Sequence, residues 1–284
     1  MDRRAFLAAL PLLGACTPSL GTFDALAPRD AGARRVARDV PYGEGPRRRL
    51  DVYAPTQRQG ALPVIVFIYG GSWDSGDKDD YGFAGTALAS RGFVTAAPDY
   101  RLAPDVRFPG FIEDCAAAVR WASDHAAEYG GDAQRIVLVG HSAGAYNAMM
   151  LALAGDYLQS AGVDARAIRG AVGLAGPYDF LPFDVDATRN AFGEAPDAQL
   201  TQPVHFARAG APPLLLLWGA DDTTVGPRNL ESLARVQRVA GGVVETRTYE
   251  NVTHVGILLA LSRPFRTRAP VLDDVIAFAR RVTA

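Results

Sequence analysis

Short apolar runs alternate with longer amphipathic stretches from residue 35 to the end of the chain. The runs at residues 64–69 and 135–140 are nearly all apolar and have the length of a strand, as expected of strands that are covered on both faces. Longer stretches with apolar residues at helical spacing lie between such runs. Because strands that alternate with helices build βαβ units, the pattern predicts an α/β fold with a mostly parallel central sheet and helices on both faces.

The same pattern gives approximate bounds for each element. Strands are predicted at residues 48–53, 64–69, 93–98, 135–140, 169–175, 213–219 and 243–249. Helices are predicted at residues 81–91, 111–129, 143–153, 227–239 and 271–282. Residues 176–211 contain four prolines and join two strands over a length that a plain connection does not need. We therefore expect the segment 176–211 to be a lid that covers the functional site.

The first 34 residues have a different pattern. Residues 1–16 combine a basic start, an apolar run and small residues that end at Cys16, which predicts an export signal too short to span a bilayer. Its last four residues resemble the lipobox of bacterial lipoproteins, in which the cysteine is acylated, and residues 3–7 resemble a twin-arginine export signal. We expect a lipid anchor at Cys16, a flexible tether at residues 17–34, and a folded domain at residues 35–284 on the periplasmic side of a bacterial cell envelope. The alternatives are an uncleaved anchor or a cytoplasmic chain with a wrongly assigned start.

Charge and cysteine content exclude several classes of function. The 29 basic and 31 acidic residues are mixed along the chain and give a formal charge of −2, so nucleic-acid binding has no electrostatic support. The two cysteines, Cys16 and Cys115, cannot form a disulfide framework and do not have metal-ligand spacing. No motif for a nucleotide or a metal is present. We therefore expect neither a metal nor another cofactor.

A nucleophile motif follows the apolar run that ends at residue 139. Gly140-His141-Ser142-Ala143-Gly144 matches G-x-S-x-G and is followed at once by a helical pattern, which is the strand-turn-helix context that gives the motif its meaning. The turn is sharp, so a side chain at either flanking glycine would collide with neighbouring elements. We expect Ser142 to be the nucleophile and the backbone N–H of Ala143 to face the oxyanion. The alternative is a turn of small residues without chemistry.

A serine hydroxyl needs a base, and histidine suits that task near neutral pH. Of the four histidines, His125 lies late in a helical pattern, His141 lies in the elbow pointing away from the serine, and His205 lies in the segment 176–211, which leaves His254. The chain order of this arrangement is Ser, acid, His, so the acid is expected after the strand at residues 213–219. Asp221 and Asp222 both qualify, and the G-x-x-D spacing from Gly219 favours Asp222.

A second oxyanion donor is expected from the glycine loop after the run at residues 64–69, from Gly71 or Ser72. Residues 69–73 (YGGSW) resemble the H-G-G-[GAS]-[WF] loop of the esterase/lipase group related to hormone-sensitive lipase and to bacterial feruloyl-esterase-like α/β hydrolases, and residues 99–104 match the D-Y-R-L-A-P segment of that group. The resemblance extends from about residue 50 to the C-terminus and implies the α/β-hydrolase fold. Tyr69 stands where that group usually has histidine, and we expect no long helical N-terminal cap of the kind found in its lipase-like members.

Together these features predict a serine carboxylic-ester hydrolase that acts through an acyl-enzyme on a small or medium ester. The expected catalytic residues are Ser142, Asp222 and His254, and the expected substrate-binding residues are Trp73, Tyr146 and Phe180. Two alternatives remain. An amidase of the arylformamidase type would use the same triad, and a lipoprotein could bind ligands or partners on this scaffold without turnover.

Overall fold

The structure is a computed structural model that describes residues 19–284. The eight strands in this part of the chain are β1 (Ala33–Pro41), β2 (Arg49–Pro55), β3 (Leu62–Ile68), β4 (Val94–Pro98), β5 (Gly131–His141), β6 (Ile168–Leu174), β7 (Leu214–Gly219) and β8 (Val244–Tyr249). The α-helices are α1 (Leu20–Leu26), α2 (Gly82–Ala89), α3 (Gly110–His125), α4 (Ala143–Leu153), α5 (Asp156–Ser160), α6 (Asp186–Phe192), α7 (Arg228–Val239), α8 (His254–Leu259) and α9 (Val271–Thr283). Among residues 19–284, no helix is both long and apolar enough to cross a bilayer.

All eight strands form one sheet in the order β1-β2-β4-β3-β5-β6-β7-β8. Strand β2 pairs antiparallel with both of its neighbours, β1 and β4, and the six strands β4, β3, β5, β6, β7 and β8 run parallel to one another. Strand β3 lies between β4 and β5. The connection from β3 to β4 therefore runs toward one edge of the sheet, and the connection from β4 to β5 runs back toward the other edge. Ligands of open α/β sheets bind where such a reversal occurs, outside the carboxyl ends of the strands. The predicted mostly parallel α/β fold is confirmed.

The prediction of an unstructured tether is wrong for residues 20–26 and for the start of β1. Ser19 caps α1 by accepting a hydrogen bond from the backbone N–H of Thr22 at 3.2 Å. Phe23 then packs edge-on against Phe83, with the ring centroids 5.2 Å apart. A helix of two turns offers too little apolar periodicity to be recognised, and its stability comes from these tertiary contacts. The predicted export signal and lipid site, residues 1–16, lie outside the described residues.

Strand β1 was also absent from the predicted elements. Its sequence, ARRVARDVP, has four charged residues among nine, and most of its residues are exposed. Strand β1 lies at the edge of the sheet, where charged side chains discourage pairing with other chains. These residues form a strand because they pair with β2, and not because they have an apolar pattern.

Candidate active site

The elbow between β5 and α4 presents Ser142 at the carboxyl edge of the sheet. Ser142 has φ 53° and ψ −122°, a backbone conformation that L-residues adopt only where the surroundings enforce it. A Cβ atom on Gly140 would lie less than 3.0 Å from the carbonyl oxygen of Gly144, and one on Gly144 less than 3.0 Å from that of Ile68. Both flanking positions therefore require glycine, because backbone atoms occupy the space of a side chain.

The three residues expected to form a triad lie within hydrogen-bond distance of one another. His254, the first residue of α8, has its Nδ1 atom 2.8 Å from Oδ2 of Asp222 and its Nε2 atom 2.9 Å from Oγ of Ser142. A carboxylate only accepts hydrogen bonds, so Nδ1 carries the proton and Nε2 is free to accept one from the Ser142 hydroxyl. The arrangement can deprotonate Ser142.

Asp222, rather than Asp221, holds the histidine. Asp221 is exposed, whereas Asp222 is buried, and its Oδ1 atom accepts hydrogen bonds from the backbone N–H groups of Thr224 and Val225 at 2.8 and 2.9 Å. Burial raises the pKa of Asp222, but the hydrogen bonds from His254, Val225 and Thr224 outweigh burial, and the pKa lies below its usual value. Asp222 is therefore charged at neutral pH and can stabilise a protonated His254.

The glycine loop after β3 lies directly against the nucleophile. A Cβ atom on Gly70 would come within 2.9 Å of the Cβ atom of Ser142, and Gly71 has φ 134°. Ser72 also has a positive φ, of 54°. Within the described part of the chain, the backbone N–H groups of Gly71, Ser72 and Ala143 have no hydrogen-bond acceptor. The expected oxyanion donors are thus placed around Ser142 with their hydrogens available.

Tyr69, the first residue of the stretch that resembles an H-G-G loop, anchors this loop. Its ring stacks between those of Tyr100 and Tyr81, at centroid distances of 4.7 and 5.3 Å. The Tyr69 hydroxyl accepts a hydrogen bond from Nη2 of Arg47 at 2.5 Å, and the Tyr100 hydroxyl donates to the Tyr69 carbonyl oxygen at 3.1 Å. The loop is therefore fixed at its base by a buried aromatic stack.

His141 makes a contact that the sequence did not indicate. The Nε2 atom of His141 lies 3.0 Å from the carbonyl oxygen of His254 and donates to it, since a carbonyl oxygen only accepts. The Nδ1 atom is buried and, among residues 19–284, has no hydrogen-bond partner. Burial and the nearby charge of His254 lower the pKa of His141 to about 3. His141 is thus a neutral side chain that holds the backbone of the base.

This burial makes stability depend on pH. The pKa of His141 falls from 6.5 in the unfolded chain to about 3 in the folded one, so the unfolded state binds an additional proton between these values. We expect the free energy of unfolding to fall as the pH drops through this window, by up to about 1.4 kcal/mol per pH unit. Urea unfolding at pH 7 and pH 5 measures how the free energy of unfolding changes with pH. In His141→Gln this change per pH unit should be smaller by the contribution of one bound proton. Equal slopes for both proteins would contradict the assignment.

A cavity of about 710 Å³ opens above Ser142. It is lined by Leu20, Phe23, Gly70, Gly71, Ser72, Tyr81, His141, Ser142, Thr224, His254, Val255, Leu258, Leu259 and Phe265. No Asp, Glu, Lys or Arg is among these lining residues. No residue of the segment 176–211 is among them either, so the expected lid does not line this cavity. The apolar side chains of the lining come instead from α1, α8 and the loop before α9. The hydrophobic pattern of the sequence did not predict that these elements lie at the site.

The expected substrate-binding residues Trp73, Tyr146 and Phe180 do not line the cavity. Trp73 and Tyr146 are buried, and their rings meet edge-on at 5.3 Å, with Phe180 5.8 Å from Tyr146. The Tyr146 hydroxyl donates to the carbonyl oxygen of Thr201 at 2.7 Å. These aromatic side chains fasten the segment 176–211 to α4, which corrects their assignment from substrate binding to packing.

Comparison with known proteins places the chain in a family. The BD-FAE family model matches residues 50–236. The chain is 28% identical over 268 residues to isoprenylcysteine alpha-carbonyl methylesterase ICME of Arabidopsis thaliana, covering 86% of this chain and 62% of that protein. It is 33% identical over 154 residues to kynurenine formamidase of Salmo salar, covering 54% of this chain and 50% of that protein. The chain thus spans less than two thirds of the length of either relative.

A solved structure supports the same fold. The crystal structure of esterase B from Lactobacillus rhamnosis superposes with a TM-score of 0.80 at 20% sequence identity, covering 93% of this chain and 90% of that one. At this identity the match concerns the arrangement of the sheet and helices. Together with the family match over residues 50–236, it shows that the chain belongs to the BD-FAE family and has the α/β-hydrolase fold.

Proposed function

We propose that the protein is a serine hydrolase that cleaves carboxylic esters through an acyl-enzyme. The observation that carries the proposal is the continuous hydrogen-bonded series from Oγ of Ser142 through His254 to the buried Asp222. The N–H groups of Ser72 and Ala143, which have no acceptor within the described part of the chain, are placed to receive the negative oxygen of a tetrahedral intermediate.

The geometry supports a two-step acyl transfer. Oγ of Ser142 attacks the ester carbonyl carbon while its proton passes to Nε2 of His254, and the carbonyl electron pair moves onto the oxygen in the oxyanion hole. When that pair returns, the bond to the alcohol oxygen breaks, and His254 gives its proton to the leaving alcohol. A water molecule then attacks the acyl-enzyme and loses its proton to His254. The Ser142 oxygen leaves with that proton, releasing the acid and the free enzyme.

An amidase of the formamidase type is the second candidate, because a fish kynurenine formamidase is among the relatives. The same triad would serve both reactions. The cavity favours the ester, since its lining residues within 19–284 include no cation to pair with a carboxylate and no Asp or Glu to pair with an ammonium group, so an amino-acid substrate would be desolvated there without partners. A binding scaffold without turnover has no need of the Ser142–His254 contact.

The test measures ester and amide turnover side by side. We expect the wild-type domain to hydrolyse p-nitrophenyl butyrate and to hydrolyse the matched p-nitroanilide and N-formylkynurenine far more slowly. A fluorophosphonate probe should form one covalent adduct, which peptide mass spectrometry locates on Ser142. A preference for N-formylkynurenine would favour the formamidase. A folded protein that neither turns over esters nor reacts with the probe would overturn the catalytic proposal.

We also propose that the protein is exported and acylated at Cys16. The support is the lipobox-like sequence at residues 13–16. Cys16 precedes the cavity-lining Leu20 by four residues, and four extended residues span at most about 14 Å, so the anchor would hold the cavity close to a bilayer surface. Cells fed an alkyne-labelled fatty acid should label the wild-type protein and a Cys115→Ala variant, but not Cys16→Ser. Absence of label in all three would contradict the anchor.

A further inference from the structure

The side chains of Leu20 and Phe23 in α1 and of Phe265 in the loop before α9 form one wall of the cavity above Ser142. We infer that this wall, called here the α1 wall, binds the apolar group of an uncharged ester and selects substrates by the size of that group. The inference rests on the proposed ester hydrolysis and adds the substrate class and the residues that choose it. Neither α1 nor Phe265 was expected near the site from the sequence.

The helix α1 is fixed to the domain by a buried carboxylate. Asp24, which is 6% exposed, receives hydrogen bonds at 2.6 Å from both terminal nitrogens of Arg29. Its Oδ1 atom also accepts from the backbone N–H of Phe83, in the first turn of α2, at 2.7 Å. A carboxylate with charge-assisted partners on one side and a helix N-terminus on the other holds its position firmly. The two wall residues of α1 are therefore presented to the cavity by a rigid element.

A second set of contacts joins α1 and the residues that follow it to the loop that carries Phe265. Arg266 binds Asp30 through two hydrogen bonds of 2.8 and 2.9 Å, and Arg263 donates to the carbonyl oxygen of Arg29 at 3.2 Å. The rings of Phe23 and Phe265 lie 5.7 Å apart. The α1 wall is thus one unit built from two segments that are more than 230 residues apart in the chain.

The chemistry of the remaining lining defines the ligand. Tyr81, Val255, Leu258 and Leu259 continue the apolar surface, and the polar groups are those around Ser142 together with His141 and Thr224. A charged group on the substrate would lose its water here without finding an Asp, Glu, Lys or Arg among the described lining residues. An apolar group gains free energy in proportion to the surface it buries. The volume of about 710 Å³ lies within the range of about 300–1,000 Å³ that holds drug-sized ligands.

The experiment compares chain-length selectivity in matched phenylalanine variants. Wild-type, Phe23→Ala, Phe265→Ala and Phe180→Ala proteins are assayed with p-nitrophenyl esters from acetate to dodecanoate and with acetates of alcohols from ethanol to octanol. Phe180 is a suitable control, because it is also partly buried but belongs to the cluster of Trp73 and Tyr146. We expect kcat/KM for the preferred ester, relative to the acetate or ethyl ester, to fall about tenfold in the two wall variants and to stay unchanged in Phe180→Ala.

Two further measurements complete the test. Phe23→Trp should move the optimum to shorter chains, because the larger ring fills part of the cavity. The p-nitrophenyl monoester of adipic acid should be turned over at least about tenfold more slowly than the hexanoate, since its carboxylate would enter a cavity whose described lining contains no Lys or Arg. Thermal unfolding and labelling of Ser142 by a small fluorophosphonate show whether each variant is folded and has a reactive serine.

The results separate the two proposals. Wall variants that are folded and labelled but keep the wild-type chain-length profile would overturn the inference while leaving ester hydrolysis in place. A uniform loss across all chain lengths would also overturn it, because it would show a structural role of α1 alone. If the folded wild-type protein hydrolyses none of these esters and does not react with the fluorophosphonate, the proposed function fails, and the inference fails with it.

Discussion

Replacing Ser142 with alanine is expected to lower kcat for ester hydrolysis by about 10⁴- to 10⁶-fold. The alanine removes the atom that attacks the carbonyl and leaves His254 with no proton to accept, while the oxyanion donors at Ser72 and Ala143 remain. The residual rate should therefore exceed that in water without reaching any sizeable fraction of the wild-type rate. Initial rates on the ester that the wild-type protein prefers provide the measurement.

The matched control is Ser160→Ala, because Ser160 is an exposed serine at the end of α5. This variant should keep wild-type turnover, and both variants should unfold at temperatures within a few degrees of the wild-type value. The strained backbone at position 142 tolerates alanine no worse than serine, so a loss of folding is not expected from the change. A purified Ser142→Ala protein with more than a hundredth of the wild-type kcat would show that another group carries out the attack.

The elbow could be predicted from the sequence because its determinants are local. The five residues from Gly140 to Gly144 include both positions where backbone atoms leave no room for a side chain. The apolar run before them and the helical pattern after them specify β5 and α4 within a few residues of the observed bounds. The acid and the base were also predictable, because chain order in a parallel sheet restricts them to the ends of β7 and β8. His254 remained as the one histidine at such an end.

The wall of the cavity could not be predicted in this way. Trp73, Tyr146 and Phe180 were expected to line it because aromatic side chains can form an apolar pocket, but aromatic side chains fill cores more often than sites. The residues of the α1 wall come from a two-turn helix near one end of the chain and a loop near the other. They are brought together by the Asp30–Arg266 ion pair, and a pair so distant in sequence leaves no periodic signal.

The segment 176–211, which was expected to be a lid, contributes no residue to the lining of this cavity for a related reason. The length and proline content of the segment 176–211 indicated irregular structure but not the direction in which it packs. Its aromatic residues face α4 and Trp73, on which they bury their rings, as the contacts of Phe180 and Phe192 with Trp73 show. Which face of a sheet a long connection covers is decided by such tertiary contacts rather than by composition.

The pair Asp221 and Asp222 offers a comparison between two adjacent carboxylates. Asp222→Asn is expected to lower kcat by about 10⁴-fold, because the amide nitrogen in place of Oδ2 would favour the tautomer of His254 in which Nε2 carries the proton and cannot accept one from Ser142. Asp221→Asn changes an exposed side chain and should leave kcat within about twofold. Steady-state kinetics on both variants, with thermal unfolding as the check of folding, decides between the two residues.

The pH dependence of this pair adds a second criterion. The pKa of Asp222 lies below its usual value, so the carboxylate stays charged as the pH falls, and its contribution to stability is lost only when the pH drops through that lowered folded-state pKa. Between about pH 6 and pH 9, the ratio of wild-type to Asp222→Asn activity should therefore not show a titration of Asp222 itself. If Asp221→Asn were the variant with the large loss, the hydrogen bond between His254 and Asp222 would not be the one that orients the base, and the triad would need a different acid.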